Sequence, residues 1–85
     1  RAGQPKRAVA AYQRALSEQP ERADWWVGLA IAYEAQDEPQ GAVGAYRRAL
    51  AAGRLDRQLA AYARNRLSQL SSVSAQRSDR QGSGG

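Results

Sequence analysis

Few side chains in this chain could do covalent or redox chemistry. Ser17, Ser68, Ser71 and Ser72 have no histidine to activate them, because the sequence contains none, and cysteine is absent as well. That removes the commonest general base, the commonest metal ligand and every thiolate site. The carboxylates are scattered, from Glu18, Glu21 and Asp24 through Glu34, Asp37 and Glu38 to Asp56 and Asp79, with no metal-ligand spacing. The sequence therefore predicts no catalysis, no metal and no cofactor. Charge and aromatic surface remain as chemistry. Arg47, Arg48, Arg54, Arg57, Arg64 and Arg66 stand close together in a chain of net charge +5. Such a cluster could form one basic patch for nucleic acid, whose signature would be a steep loss of affinity with salt. The interspersed acids favour instead a solvated, Arg-rich helical surface without nucleic acid. Trp25, next to Trp26, is either a partner-binding hot spot or a packing residue against Tyr12 and Leu16.

These residues must be carried by helices. Trp26, Leu29, Ala30 and Tyr33 recur at i, i+3, i+4 and i+7, and Ala42, Val43, Tyr46, Ala49 and Leu50 make a second stripe after Asp37-Glu38-Pro39. So short a turn makes the two helices antiparallel partners. Residues 1–20 match residues 35–54 at an offset of 34, through Pro5/Pro39, Ala8/Ala42, Val9/Val43, Ala11/Ala45, Tyr12/Tyr46, Arg14/Arg48, Ala15/Ala49 and Leu16/Leu50. One ungapped period marks a repeat architecture. The first helix is expected from about Pro5 to Glu18, ended by Pro20. The second runs from near Ala23 to about Ala35, with Glu21 and Asp24 at its positive end, and the third from about Pro39 to Ala52, closed by Gly53. Asp56 is the expected N-cap of a fourth, from Arg57 to about Ser71, a cap helix in which Ala60 and Leu67 replace the pattern of Trp26 and Tyr33. Residues 1–71 thus form one small domain, and the Ser-, Arg- and Gly-rich stretch 72–85 is expected to be a disordered tail. The apolar runs are too short to span a membrane. Opening on Arg1 inside a pattern, the chain reads as a piece of a longer parent.

The pattern W-x2-L-[GA]-x2-Y…A-x3-[FY]-x2-A-L is met by Trp26, Leu29, Ala30, Tyr33, Ala42, Tyr46, Ala49 and Leu50. It resembles the tetratricopeptide repeat, a helix–turn–helix unit of 34 residues. Ala8, Tyr12, Ala15, Leu16 and Pro20 meet the second half of a preceding repeat. The intra-repeat turn Gly is present as Gly3 but replaced by Asp37, and the terminal Pro20 is replaced by Arg54. The resemblance implies an all-α solenoid of half a repeat, one full repeat and a cap helix, serving as a non-catalytic protein-interaction scaffold. Small Ala8, Ala15, Ala30, Ala42 and Ala49 would let axes approach, while Trp26, Tyr12, Tyr33 and Tyr46 fill the gaps. A narrower resemblance runs through W-W-V-G-L-A-I-A-Y, A-Y-R-R-A-L-A-A-G-R-L and A-Y-A-R-N-R-L-S-Q-L. These are similar to the C-terminal end of bacterial tetratricopeptide proteins of the MSHA type IV pilus biogenesis class. That implies a parent anchored in the inner membrane and a place in the cell envelope.

In the tetratricopeptide family, the first helix of each repeat lines a concave groove for peptides. Carried over, the groove side would show Asp24, Val27, Ile31 and Glu34, with Ala35 at its edge. An apolar pair flanked by carboxylates suits a peptide or partner helix with apolar anchors and a basic residue. Alternatively, the fourth helix or a preceding repeat covers Val27 and Ile31. The Lys, Arg and Asn with which some members grip a C-terminal carboxylate are missing from this face. The open side of the first helix is expected to allow self-association or to accept a partner's helix.

Overall fold

The computed structural model of the chain describes the backbone of residues 4–83 and the side chains as far as residue 72. Gly3 and Gly84-Gly85 lie outside the described residues. The described residues form four α-helices and no strand: α1 Gln4–Glu18, α2 Ala23–Ala35, α3 Pro39–Ala52 and α4 Arg57–Ser83. Each packs against the next in sequence, with the α2–α3 contact the most extensive.

The helix ends follow from local chemistry. At the end of α2, Glu38 N–H donates to Tyr33 O (2.9 Å) and Asp37 N–H to Glu34 O (2.9 Å). These are the two reverse bonds of a Schellman turn, with Asp37 in the left-handed position at φ 58°. Aspartate tolerates that region better than most side chains, which is how the turn forms without the usual glycine. Pro39 opens α3, and Gly53, at φ 70°, closes it. Asp56 caps α4 as its type predicts: Oδ1 accepts the Leu59 N–H at 2.7 Å.

The core is built largely of alanine. Ala30, Ala42, Ala49 and Ala63 are fully enclosed, and Val9, Leu16, Val27, Leu29 and Tyr46 fill the space between them. Of the four aromatic residues expected to fill the gaps, only Tyr46 is fully buried. Tyr12, Tyr33 and Trp26 keep one side in solvent. Trp26 does so because its indole N–H reaches the Pro20 carbonyl at 2.7 Å, which holds the ring at the margin of the core.

Helix α4 corrects the expected end at Ser71, since the helix runs on through Ser83. The stretch 72–83 was expected to be disordered because it holds almost nothing to bury. Burial is not what continues a helix: once nucleated, each added residue gains one backbone bond, and no Pro or Gly intervenes before Gly82.

Candidate functional site

The residues proposed for the groove do not assemble into one surface. Val27 is 2% exposed and belongs to the core, so it is withdrawn as a groove residue. The reason lies two turns further on. Glu34, on the same stripe of α2, meets Arg66 of α4, so this stripe faces the fourth helix. Val27 is thus covered, as one of the two arrangements had it for both residues of the pair, but Ile31 is not.

Glu34 is itself a tie between three helices. Its carboxylate accepts the Tyr46 hydroxyl of α3 at 2.5 Å and pairs with the Arg66 guanidinium of α4 through Nη2 and, at 3.3 Å, Nε. Burial pushes the Glu34 carboxyl up, but the hydrogen bonds from Arg66 and Tyr46 together outweigh it and hold it below its ordinary value. Burial, then the hydrogen bond to Glu34, pushes the Tyr46 phenol well above its ordinary range. The Glu34 hydrogen bond in turn raises Arg66. A carboxylate so engaged is not a ready receptor for a partner's cation.

Asp24 is engaged too. Both its oxygens are gripped by Arg22, at 3.1 Å from Nε and 2.9 Å from Nη2, and Oδ1 also accepts the Trp25 N–H at 3.0 Å. The Arg22 hydrogen bond holds this carboxyl below its ordinary value. The same guanidinium lies 4.0 Å from the centre of the Trp25 ring, whose other side packs on the core. Trp25 and Asp24 therefore form a local cluster at the start of α2.

Ile31 is different. It is 45% exposed and borders a shallow trough of about 350 Å³ between α1 and α2, lined also by Pro5, Ala8, Tyr12, Gly28 and Ala35. Gly28 shapes the trough. A Cβ there would stand 2.6 Å from Cε1 of Tyr12, so the ring lies where a side chain would have been.

A second concavity was not anticipated. An open cleft of about 770 Å³ lies between α1 and α3 with Trp26, Leu29 and Tyr33 of α2 as its floor. Two glycines inside α3, Gly41 and Gly44, were the available signal, because glycine in a helix interior costs about 1 kcal/mol relative to alanine. Gly41 is explained by the Tyr33 ring, which a Cβ would meet at 2.8 Å, whereas a Cβ on Gly44 would meet nothing.

The arginines that could have formed one basic patch do not all share one setting. Arg66 is tied to Glu34, Arg54 shares a hollow with Glu21, Asp24 and Asp56, and Arg47 and Arg48 border the cleft. Among the described residues no group of carboxylates could hold a metal ion, and no helix is long and apolar enough to cross a membrane.

No curated protein and no solved structure matches the chain. A family model, described as tetratricopeptide repeat, matches residues 1–67. That span takes in α1, the α2–α3 hairpin and the first turns of α4, with the 34-residue period running through them. The chain belongs to the tetratricopeptide-repeat family.

Proposed function

We propose that this chain is a non-catalytic protein–protein interaction scaffold that receives an apolar-anchored peptide or partner helix in the trough between α1 and α2. Repeats of this family generally mediate protein–protein interaction. One observation carries the choice of surface: Ile31 is a large aliphatic side chain held out beside a concave apolar wall, when the fold has buried its neighbours. Asp24 and Glu34 border this reading rather than carry it, because each already holds an arginine. The partner's contribution is therefore apolar, and the basic residue first expected of it is not required.

The setting we favour is a bacterial envelope complex of the pilus-assembly kind, in a parent anchored in the inner membrane. The support is the similarity of the stretches around Trp26, Tyr46 and Tyr62 to such proteins.

The test is affinity capture with the parent chain and with Ile31→Glu, both checked for equal helicity, alongside sedimentation of each. An exposed position tolerates the change, so the fold should survive. A protein held by the parent and lost by the variant supports the trough and identifies the partner. Concentration-dependent dimers lost in the variant would make the partner a second copy. Identical captures from both overturn the trough, and nucleic acid released by moderate salt would put the arginines in its place.

A further inference from the structure

The cleft between α1 and α3 lies on a different surface from the trough at Ile31 and shares none of its lining residues. We infer that it is a second docking site, for an acidic segment of a partner protein in which aspartate or glutamate flanks an aliphatic or aromatic anchor.

The shape comes from three helices. Trp26, Leu29 and Tyr33 give an apolar floor, Leu16 and Pro20 of the α1 side stand on one edge, and α3 stands on the other. At about 770 Å³ the cleft lies in the range of sites that hold a ligand or a short peptide. Its α3 edge presents no bulk at Gly44, where a Cβ would meet no atom within 4 Å. The glycine thus keeps space open that the chain itself does not use, at a cost in helix stability.

Charge selects the occupant. Arg47 and Arg48 both line the cleft, and among the described lining residues none is acidic. Arg48 lies 4.7 Å from the centre of the Trp26 ring. That contact orients a cation at the margin of an apolar floor, while neither arginine has a carboxylate partner among the described ion pairs. An apolar anchor on Trp26 and Leu29 would place a neighbouring carboxylate beside these guanidiniums, where paired N–H donors match it. A basic segment would meet the same two charges unfavourably.

The probes are three pools of heptapeptides, acetylated and amidated so that no terminal carboxylate takes part. All carry Leu, Phe or Trp at the same positions. One pool has Asp and Glu at the others, one Asn and Gln, one Lys and Arg. Binding to the full chain is followed by NMR at the Gly41 and Gly44 amides and the Trp26 indole. The acidic pool should shift these signals, with affinity falling about tenfold for the neutral pool and for the variant Arg47→Gln with Arg48→Gln. Gly44→Leu, which projects into open space, should abolish the shifts. Should that variant lose helicity, the arginine variant decides alone. Ile31→Glu should leave binding unchanged, which separates this site from the trough. Equal binding of acidic and neutral pools, preference for the basic pool, no binding at all, or shifts confined to Ile31 and Ala35 would each overturn the inference.

Discussion

Removing the Glu34 carboxylate should cost more stability than any surface substitution, because three helices share it. Tyr46 is 0% exposed, so Glu34→Ala takes the carboxylate partner from a buried hydroxyl, a penalty of about 1–3 kcal/mol. Arg66 is 31% exposed on its side chain and can turn to solvent, so its lost ion pair adds about 1 kcal/mol or less. The sum for Glu34→Ala is about 1–4 kcal/mol. Glu34→Gln keeps an oxygen for Tyr46 but turns an amide N–H₂ toward a guanidinium, which places it near 1–2 kcal/mol. Tyr46→Phe and Arg66→Met each remove one partner and leave the carboxylate the other, at about 1 kcal/mol. Urea unfolding followed by circular dichroism gives these numbers, provided the slopes agree. In a domain of this size each kcal/mol lowers the melting temperature by about 4–8 °C. A double-mutant cycle between Glu34→Ala and Tyr46→Phe should show coupling of about 1 kcal/mol or more. The reasoning fails if Glu34→Ala stays within about 0.5 kcal/mol of the parent, the range of an ordinary surface change.

The same carboxyl sets part of the acid response. Held below its ordinary value of 4.5, Glu34 contributes stability that is complete above that pH and lost as pH falls through its folded value, so Glu34→Gln should flatten the acid limb in pH-dependent melting while Asp24 preserves a remainder. Gly44→Ala should stabilise by about 0.5–1 kcal/mol, while Gly28→Ala should be neutral or destabilising because Tyr12 must move; paired denaturation curves would show the difference in sign. Asp37→Gly should gain about 0.5–1 kcal/mol by relieving a left-handed aspartate, read from the melting temperature. Asp56→Ala should lose about 1 kcal/mol with the cap of α4, and amide exchange should quicken at Leu59.

The hairpin was legible because its stripes are regular and its ends carry Pro39 and Gly53. The faces of α2 were not. Its run from Trp25 to Tyr33 is apolar nearly all round, so a 3.6-residue period cannot say whether Val27 or Ile31 points inward. Tertiary packing separates them, and the tie that brings α4 to this side of α2 joins residues 32 apart, Glu34 and Arg66, which no local pattern announces. The arginines illustrate the same limit. Clustering in sequence placed Arg54 beside Arg57, but folding gave Arg54 to a hollow with three carboxylates and Arg48 to an indole ring. The length of α4 escaped for another reason: a composition poor in apolar residues measures what can be buried, not where backbone bonds stop.

The 34-residue offset also separates what maintains the repeat from what departs from it. Tyr12 and Tyr46 are equivalent, and the residues they face, Gly28 and Tyr62, are equivalent as well. At the second pair the rings meet edge to face, with centroids 6.2 Å apart, and Tyr46 is fully enclosed. At the first pair glycine replaces the second ring, Tyr12 lies against α2, and the trough remains open. Ile31 aligns with Asn65, an exposed polar residue on α4. Repeat packing therefore does not require an isoleucine at this register, nor a glycine three residues before it. The two substitutions act together, one removing bulk to leave a concavity and the other placing an aliphatic side chain at its edge. Solenoid stability alone would favour filling that space. The occupant we propose would account for both choices, which is why the exposed Ile31, rather than the carboxylates beside it, marks the surface to test first.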